Sequence, residues 1–269
     1  ERNPAPDGST VLKGVLEGIV ISKSKSYPAM ATTSATMEGN LDKDLARVPV
    51  LDTGDTLDNY ISYNSTANTL EIKNGVKIRE TTTVFYDSLG GQHKVKFIFV
   101  RGLADGSTVG ADNEWGVIIQ NLDDMSYFVK GSDDDMSPSN PTDLNEMVIP
   151  IKFGSDGKIV TNETGKFSKI KLVIPGTDAD GNQIFEDINV EVDLSNLTQF
   201  ANESTASITN KNGYPQGYLD TFSIGPTGEI YGIFTNGQSR VIGQIALATF
   251  KNPAGLEKTS ENMYQVTPN

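Results

Sequence analysis

Short runs of β-branched and aromatic residues, separated by turns containing glycine, asparagine or aspartate, recur along most of this chain. The clearest case is TTTVFYDSLGGQHKVKFIFV, residues 81–100, in which Gly90 and Gly91 divide two such runs. Runs of this kind form strands, and glycine supplies the positive φ that a tight turn between them needs. Convincing helical periodicity is scarce. The pattern therefore predicts an all-β protein with mainly antiparallel sheets.

The same pattern predicts further strands along the chain. The run NEWGVIIQN should form a third strand, with Trp115 buried beside the first two. Two more pairs of strands are predicted by EMVIPIKFGSDGKIV, around its SDG turn, and by FSKIKLVIPGTDADGNQIFEDINVEVDL, around DADGN.

Two segments are less regular. Residues 11–22 have some helical spacing, but two glycines interrupt it, and we expect strand or mixed structure there. The stretch DLSNLTQFA, which begins at Asp193, is expected to hold one helical turn.

Changes in composition predict two domains. Residues 197–217 are rich in Ser, Thr and Asn, and a matching change lies near residues 27–28. An insertion fits both changes: residues 28–204 would form one β domain. Residues 1–27 and 205–269 would then belong to another.

The charge of the chain argues against two classes of partner. Its 35 acidic and 22 basic residues give a net charge of -13. Such a surface repels nucleic-acid phosphates and anionic membranes, so we predict neither as a partner. No apolar run approaches the roughly 18 to 20 residues that cross a bilayer, so no membrane insertion is predicted. The chain begins at Glu1 without a signal-peptide pattern, and we expect a processed product or a fragment.

Residues suited to catalysis are few. The chain has no cysteine and one histidine, so thiolate zinc sites are impossible and any Ser-His-Asp triad depends on His93. Strand alternation places Val95, Phe97 and Phe99 on the face of His93, which predicts a half-buried structural histidine. We therefore favour a binding or structural role over a catalytic one, and we predict no cofactor.

Three other stretches offer possible sites, and each is better explained as a turn or loop. DADGN begins like a calcium loop at Asp178, but position 12 of that loop would be Asn189 rather than glutamate. The run Asp133–Asp135 is expected to be a solvated loop rather than a cation site. GPTG, residues 225–228, lacks the lysine of a phosphate loop and predicts a β turn. The number of acids leaves a glycosidase pair open, but no spacing singles one out.

The last third of the chain carries an ordered series of motifs: G-Y-L, G-I-F-T-N-G, I-G-Q-I-A-L-A-T-F and N-P-A-G-L. In order and spacing they resemble the C-terminal part of the middle domain of bacterial flagellar hook proteins. Upstream, ATTSATMEGNLD and VFYDSLGGQHKVKFIFV followed by NEWGV are also similar to that family. We expect the motif residues to define turns and core strands rather than contacts. They are Asn40, Leu41, Tyr86, Asp87, Trp115, Gly217, Leu219, Asn236, Gly237, Gly243, Gln244, Phe250, Asn252, Gly255 and Leu256.

The resemblance implies an architecture of two β domains, the outer one inserted into the middle one. Residues 28–204 would be the outer domain and residues 205–269 the returning part of the middle domain. Residues 1–27 would end its outgoing part. The terminal helices of the family have no counterpart in this sequence.

The resemblance also implies a role for the protein. It would be a non-enzymatic subunit that self-assembles outside the cell into a flexible curved tube, and this tube would transmit motor torque to the filament. Its partners would be copies of itself and the hook cap, rod and hook–filament junction proteins. The alternatives are a rod or hook-associated protein, or an extracellular adhesin or carbohydrate-binding β module.

Overall fold

A computed structural model describes residues 2–4, 10–12, 18–103, 109–131, 135–161, 167–177, 180, 182–245 and 253–266. Within these residues the chain forms twenty strands and three short 3-10 helices. The prediction of an all-β fold is confirmed.

The strands are β1 (Arg2–Pro4), β2 (Thr10–Leu12), β3 (Ser26–Tyr27), β4 (Ser34–Asp42), β5 (Ile61–Asn64), β6 (Thr69–Ile72), β7 (Ile78–Tyr86), β8 (Gln92–Arg101), β9 (Glu114–Asn121), β10 (Tyr127–Lys130), β11 (Asp135–Ser139), β12 (Ile149–Lys152), β13 (Lys169–Ile174), β14 (Ile188–Phe200), β15 (Ser207–Lys211), β16 (Gly217–Ile224), β17 (Glu229–Phe234), β18 (Ser239–Gln244), β19 (Leu256–Ser260) and β20 (Met263–Val266). The 3-10 helices are Leu57–Asn59, Leu144–Glu146 and Pro253–Gly255.

Contacts within the chain separate two compact units. The large unit is residues 28–217, and the small unit is residues 1–27 together with residues 218–269. The sequence predicted that the domain beginning at residue 28 would end at residue 204. In the structure, β15 pairs with β4 beyond that point, so the large unit continues to Gly217. The Ser/Thr/Asn-rich segment that suggested a boundary, residues 197–217, contains β15, which is an edge strand of the large unit.

One large sheet organises the large unit. Its strand order is β15-β4-β14-β13-β11-β10-β9-β8-β7, and β12 pairs with β9 beside this path. Most neighbours are antiparallel, as predicted, but β14 with β4 and β11 with β13 are parallel. The predicted hairpin of β7 and β8 is confirmed, and Gly90 adopts φ 90° in its turn.

The other predicted pairs formed to different extents. β13 and β14 pair antiparallel over six residue pairs, although Asp178 and most of the DADGN turn lie outside the described residues. The SDG turn closes with the N–H of Gly157 donating to the carbonyl of Gly154, 3.0 Å away. Beyond it only an isolated bridge, Phe153 to Ile159, joins the two sides.

The inner face of the large sheet forms the main core. Its largest fully buried side chains are aromatic, and several strands contribute them: Phe85, Phe97, Phe99, Trp115, Phe128 and Phe153. The prediction that Trp115 is buried is confirmed. Ile98 and Ile118 point to the other face and pack in a second core with residues of the β5–β6 hairpin, including Ile61. Where β8 and β9 are covered on both faces, their sequences are continuous apolar runs, FIFV in β8 and WGVII in β9.

The helical turn predicted for DLSNLTQFA is wrong, because this stretch lies inside β14. Leu194 and Leu197 are both buried although they are three residues apart, which is a helical spacing. A register shift between Asp193 and Asn196 explains the spacing: the strand bulges there and resets its alternation. The Asp193 carboxylate supports the bulge by accepting the N–H of Ser195 at 2.8 Å.

The small unit contains a four-stranded sheet in the order β18-β17-β16-β3 and two hairpins, β1 with β2 and β19 with β20. The predicted β turn at GPTG is confirmed, since the N–H of Gly228 donates to the carbonyl of Gly225 at 3.0 Å. Of residues 11–22, the described part is strand only at its start, and residues 13–17 lie outside the described residues. In the part of the chain that the structure describes, no helix is long and apolar enough to span a membrane.

Candidate interaction surface

Asn40 ties β4 to the turn that follows β14. Its Nδ2 donates to the carbonyls of Asn202 at 2.8 Å and Phe200 at 3.2 Å, and its Oδ1 accepts the Phe200 N–H at 2.8 Å. Its own carbonyl accepts the N–H groups of Thr205 and Ala206. One side chain thus fixes a turn that is about 160 residues away in sequence.

The residues on either side of Asn40 support the same turn. Gly39 has φ +116°, and a Cβ placed there would lie 2.8 Å from the carbonyl oxygen of Thr205. Only glycine adopts this backbone at low cost. Leu41 is fully buried in the main core. This part of the motif therefore determines the fold locally.

Asp87 organises the turn between β7 and β8. Its Oδ1 accepts the N–H groups of Leu89 and Gly91, both at 2.8 Å, and its side chain is almost completely buried. The neighbouring motif residue Tyr86 is half-buried and bonds through its backbone to Thr32. These contacts explain why the sequence has an aspartate at the start of this turn.

Trp115, on β9, is anchored at both ends of its side chain. The ring lies in the main core, and Nε1 donates to Oε1 of Gln199 at 3.1 Å. A buried indole N–H needs such an acceptor.

His93 lies between two carboxylates. Its Nε2 is 3.1 Å from Oδ2 of Asp87, and its Nδ1 is 3.2 Å from Oδ2 of Asp123. The ring also packs on Phe185, with 4.9 Å between the ring centroids. The predicted partial burial of His93 is confirmed, since its side chain is 16% exposed. Because the two ring nitrogens face opposite ways, they bridge two turns, β7–β8 and β9–β10, rather than converging on one ion.

A catalytic metal site finds no support among the described residues, where no group of three or more His, Asp or Glu side chains could hold a metal. Of the acidic run, Asp133 and Asp134 lie outside the described residues. For Asp135 the prediction of a solvated loop is wrong: it is half-buried and begins β11, and its carboxylate lies 3.7 Å from the ammonium of Lys171.

Burial alone would raise the pKa of the Asp87 carboxyl, but hydrogen bonds from His93, Gly91 and Leu89 outweigh it and hold the pKa below its ordinary value. A group with a depressed folded-state pKa stabilises the fold above its unfolded value, about 3.9 for aspartate. That contribution is lost as the pH falls through the folded pKa.

We therefore expect Asp87→Asn to reduce the dependence of the free energy of unfolding on pH in the acidic range. The free energy of unfolding should fall less steeply in this variant than in the wild type as the pH is lowered from about 5 to about 2. Urea unfolding followed by Trp115 fluorescence measures it. Replacing the exposed Asp52 with asparagine is the matched control and should leave the profile unchanged. Equal slopes in wild type and Asp87→Asn would contradict this account of the turn.

The motif residues of the small unit also lie in its sheet and turns. Leu219 is buried, Gly237 has φ 80° in the turn between β17 and β18, and Oδ1 of Asn236 accepts the N–H of Gln238. The remaining described motif positions are one buried glycine and four half-buried residues: Gly217, Gly243, Gln244, Gly255 and Leu256. Phe250 and Asn252 lie outside the described residues.

The surface charge is divided unequally between the units. The large unit has 28 acidic and 15 basic residues, whereas the small unit has seven of each, so the net charge of -13 belongs to the large unit. Some of its ion pairs, such as Lys169 with Glu191, have both side chains exposed. Pairs of this kind contribute about 0–1 kcal/mol each. The large unit thus presents an acidic surface with weak, exchangeable pairs.

Apolar exposure differs between the units as well. Phe222 and Ile224 on β16 are 49% and 56% exposed. Their cross-strand partners are Gly232 and Ile230, so they share a sheet face with the buried Ile230. This face of the small unit is therefore only partly covered within the described residues.

The profile of the family described as "Flagellar basal body protein FlaE D2 domain" matches residues 40–214. The "Flagellar hook protein FlgE" of Borreliella burgdorferi is 29% identical over 262 residues, which cover 94% of this chain and 50% of that protein. The protein of the same name from Treponema pallidum is 27% identical over 270 residues, which cover 92% of this chain and 51% of that protein. The chain thus spans about half the length of the curated relatives it matches.

The crystal structure of Helicobacter pylori flagellar hook protein FlgE2 matches with a TM-score of 0.50 and 13% sequence identity. The match covers 92% of this chain and 73% of that one. At this identity the likeness concerns the fold alone.

Proposed function

The chain belongs to the family of the flagellar basal body protein FlaE D2 domain, and on that premise we propose that it is part of a structural subunit of the bacterial flagellar hook. Its place would be outside the cell, in the short curved tube between the motor and the filament. The observation that carries the proposal is the extent of the similarity: relatives named flagellar hook protein align with more than nine-tenths of this chain. The similarity therefore involves both compact units.

The large unit would be the outer domain of the subunit, and the small unit would be part of its middle domain. The family profile supports this, since residues 40–214 fall inside the large unit. The chain passes between the units twice, at residues 27–28 and 217–218. Two short connections of this kind permit hinge motion while each unit keeps its own core.

A tube that rotates while its axis stays bent requires each copy to slide against its neighbours. Large polar surfaces with weak pairs suit such sliding, because exposed charges contribute little each and exchange readily. The acidic surface of the large unit has this character. Copies joined by the same heterologous contact along a helix would form an open tube.

The subunit would build rather than catalyse, and its first partner would be another copy of itself. The names of the relatives support self-association in a hook. The hook cap, the rod and the hook–filament junction proteins are further proposed partners.

Deleting the gene in the source bacterium tests the proposal. We expect cells that lack hooks and external filaments and do not swim, and the wild-type gene should restore all three. Asn189→Ala, which removes one exposed hydrogen bond to the carbonyl of Asp187, should restore them equally. Asn40→Ala should restore fewer hooks per cell, because it loosens the turn after β14. Hooks of normal number and length in the deletion strain would overturn the proposal.

A further inference from the structure

The large sheet has two end strands, β7 and β15, and these lie close to each other. β7 pairs only with β8, and β15 pairs only with β4. Both end strands lie wholly within the described residues, and no backbone ladder joins them there. The sheet therefore curls almost into a barrel but leaves a seam.

Two cationic side chains cross this seam. The ammonium of Lys211, on β15, donates to the carbonyl of Val84 on β7 and lies 5.0 Å from the centroid of the Tyr86 ring. Further along, Nη2 of Arg79 on β7 donates to the carbonyl of Ala206 at 3.5 Å, just before β15. Side chains rather than backbone amides thus hold the two edges together.

At its Tyr86 end, the free edge of β7 is bonded not to β15 but to Thr32, in the segment that precedes β4. The Tyr86 N–H donates to Oγ1 of Thr32, and the Tyr86 carbonyl accepts the Thr32 N–H, both at 2.9 Å. Along an antiparallel edge strand, every second residue points its backbone N–H and carbonyl away from the neighbouring strand. On β7 these residues include Tyr86 and Val84. The carbonyl of Val84 has no partner strand on this side, and it accepts a hydrogen bond from the ammonium of Lys211 instead.

β15 is also weakly held on its other edge. Its ladder with β4 is short and has a register shift between Ile208 and Asn210. Nε of Arg79 is buried without a hydrogen-bond partner among the described residues. Strands with few ladder bonds and few buried contacts open at low free-energy cost.

We propose that the seam between β7 and β15 is the line along which the large unit opens, and that Lys211 holds it closed. The chain leaves the large unit shortly after β15, at Gly217. Opening the seam lets this exit strand shift while the aromatic core beneath β8 and β9 stays packed. The seam and its Lys211 contact lie within one large unit, so they can be tested on the isolated chain without an assembled hook.

Amide hydrogen exchange measured by NMR tests the proposal. Lys211→Met removes the cation but keeps a long apolar side chain. We expect the amides of β15 and the facing amides of β4 to exchange about tenfold faster, since one charge-assisted hydrogen bond is lost. The amides of β8 and β9 should keep their wild-type rates. Lys169→Met is the matched control, because the ammonium of Lys169 pairs with the Glu191 carboxylate at an exposed position, and it should behave as wild type.

Lys211→Arg provides the second test, since it keeps a donor of similar reach and should retain wild-type exchange in β15. Unchanged β15 exchange in Lys211→Met would overturn the proposal. Equal acceleration in β15, β8 and β9 would overturn it too, because that pattern means global destabilisation. A Lys211→Arg variant that exchanges as fast as Lys211→Met would show that the cation does not hold the seam.

Discussion

Replacing Phe97 with alanine is expected to lower the free energy of unfolding of the large unit by about 3–5 kcal/mol. Phe97 is fully buried on β8, among the aromatic residues of the main core. The truncation removes apolar contacts and leaves a cavity that the surrounding strands fill only in part. Because Trp115 on β9 is the one tryptophan of the chain, its fluorescence in a urea titration reports the unfolding of this unit.

Two controls separate packing from general effects. Phe97→Leu keeps most of the apolar volume and should cost clearly less than Phe97→Ala. Phe222→Ala removes a ring of the same size from an exposed position in the small unit and should leave the Trp115 transition in place. An unchanged transition midpoint in Phe97→Ala would show that the main core does not hold the large unit together.

Replacing Asn40 with alanine is expected to cost about 2 kcal/mol in the same titration. The substitution leaves the carbonyls of Asn202 and Phe200 and the N–H of Phe200 without the side-chain partner they have in the structure. Solvent reaches part of this turn, which keeps the cost below that of the core truncation.

Asn40→Asp tests the hydrogen bonds of this side chain more specifically than Asn40→Ala, because aspartate has nearly the same size as asparagine but lacks the donor. Asn40→Asp keeps an acceptor for the Phe200 N–H but places an oxygen against two carbonyl oxygens, so it should destabilise about as much as Asn40→Ala. Asn189→Ala, with one exposed hydrogen bond, should change the free energy of unfolding by no more than about 0.5 kcal/mol. A wild-type midpoint in Asn40→Asp would contradict the assigned hydrogen-bond network.

Local patterns predicted the local parts of this fold well. The hairpin of β7 and β8 follows from two apolar runs around Gly90 and Gly91, which are only a few residues apart. The same holds for the turn at residues 225–228. What local patterns missed was pairing between distant segments, such as the parallel pair of β14 and β4. Alternation within one strand carries no information about which distant strand it joins.

The same limit explains what the sequence could and could not predict about side chains. Alternation placed His93 on the face of Val95 and Phe97, and this is where it lies. Its contacts with Asp87 and Asp123 were not predicted, because the second carboxylate comes from a turn 30 residues away. The bulge in β14 was missed because burial at Leu194 and Leu197 imitates a helical spacing.

The resemblance to hook proteins rested on motif residues, and the structure assigns most of them to turns and cores. Asn40, Asp87 and Trp115 each bond to a specific partner, and none of them forms an exposed patch. Contacts between copies would therefore involve other residues, on the acidic surface of the large unit or the open sheet face of the small one.

Immunogold electron microscopy, with antibody raised against this chain and applied to the intact source bacterium, tests the central claim most directly. The proposal of a hook subunit predicts gold confined to the short curved segment between the cell body and the filament. Gold spread over the cell surface, or absent from the flagella, would contradict it and favour an adhesin instead.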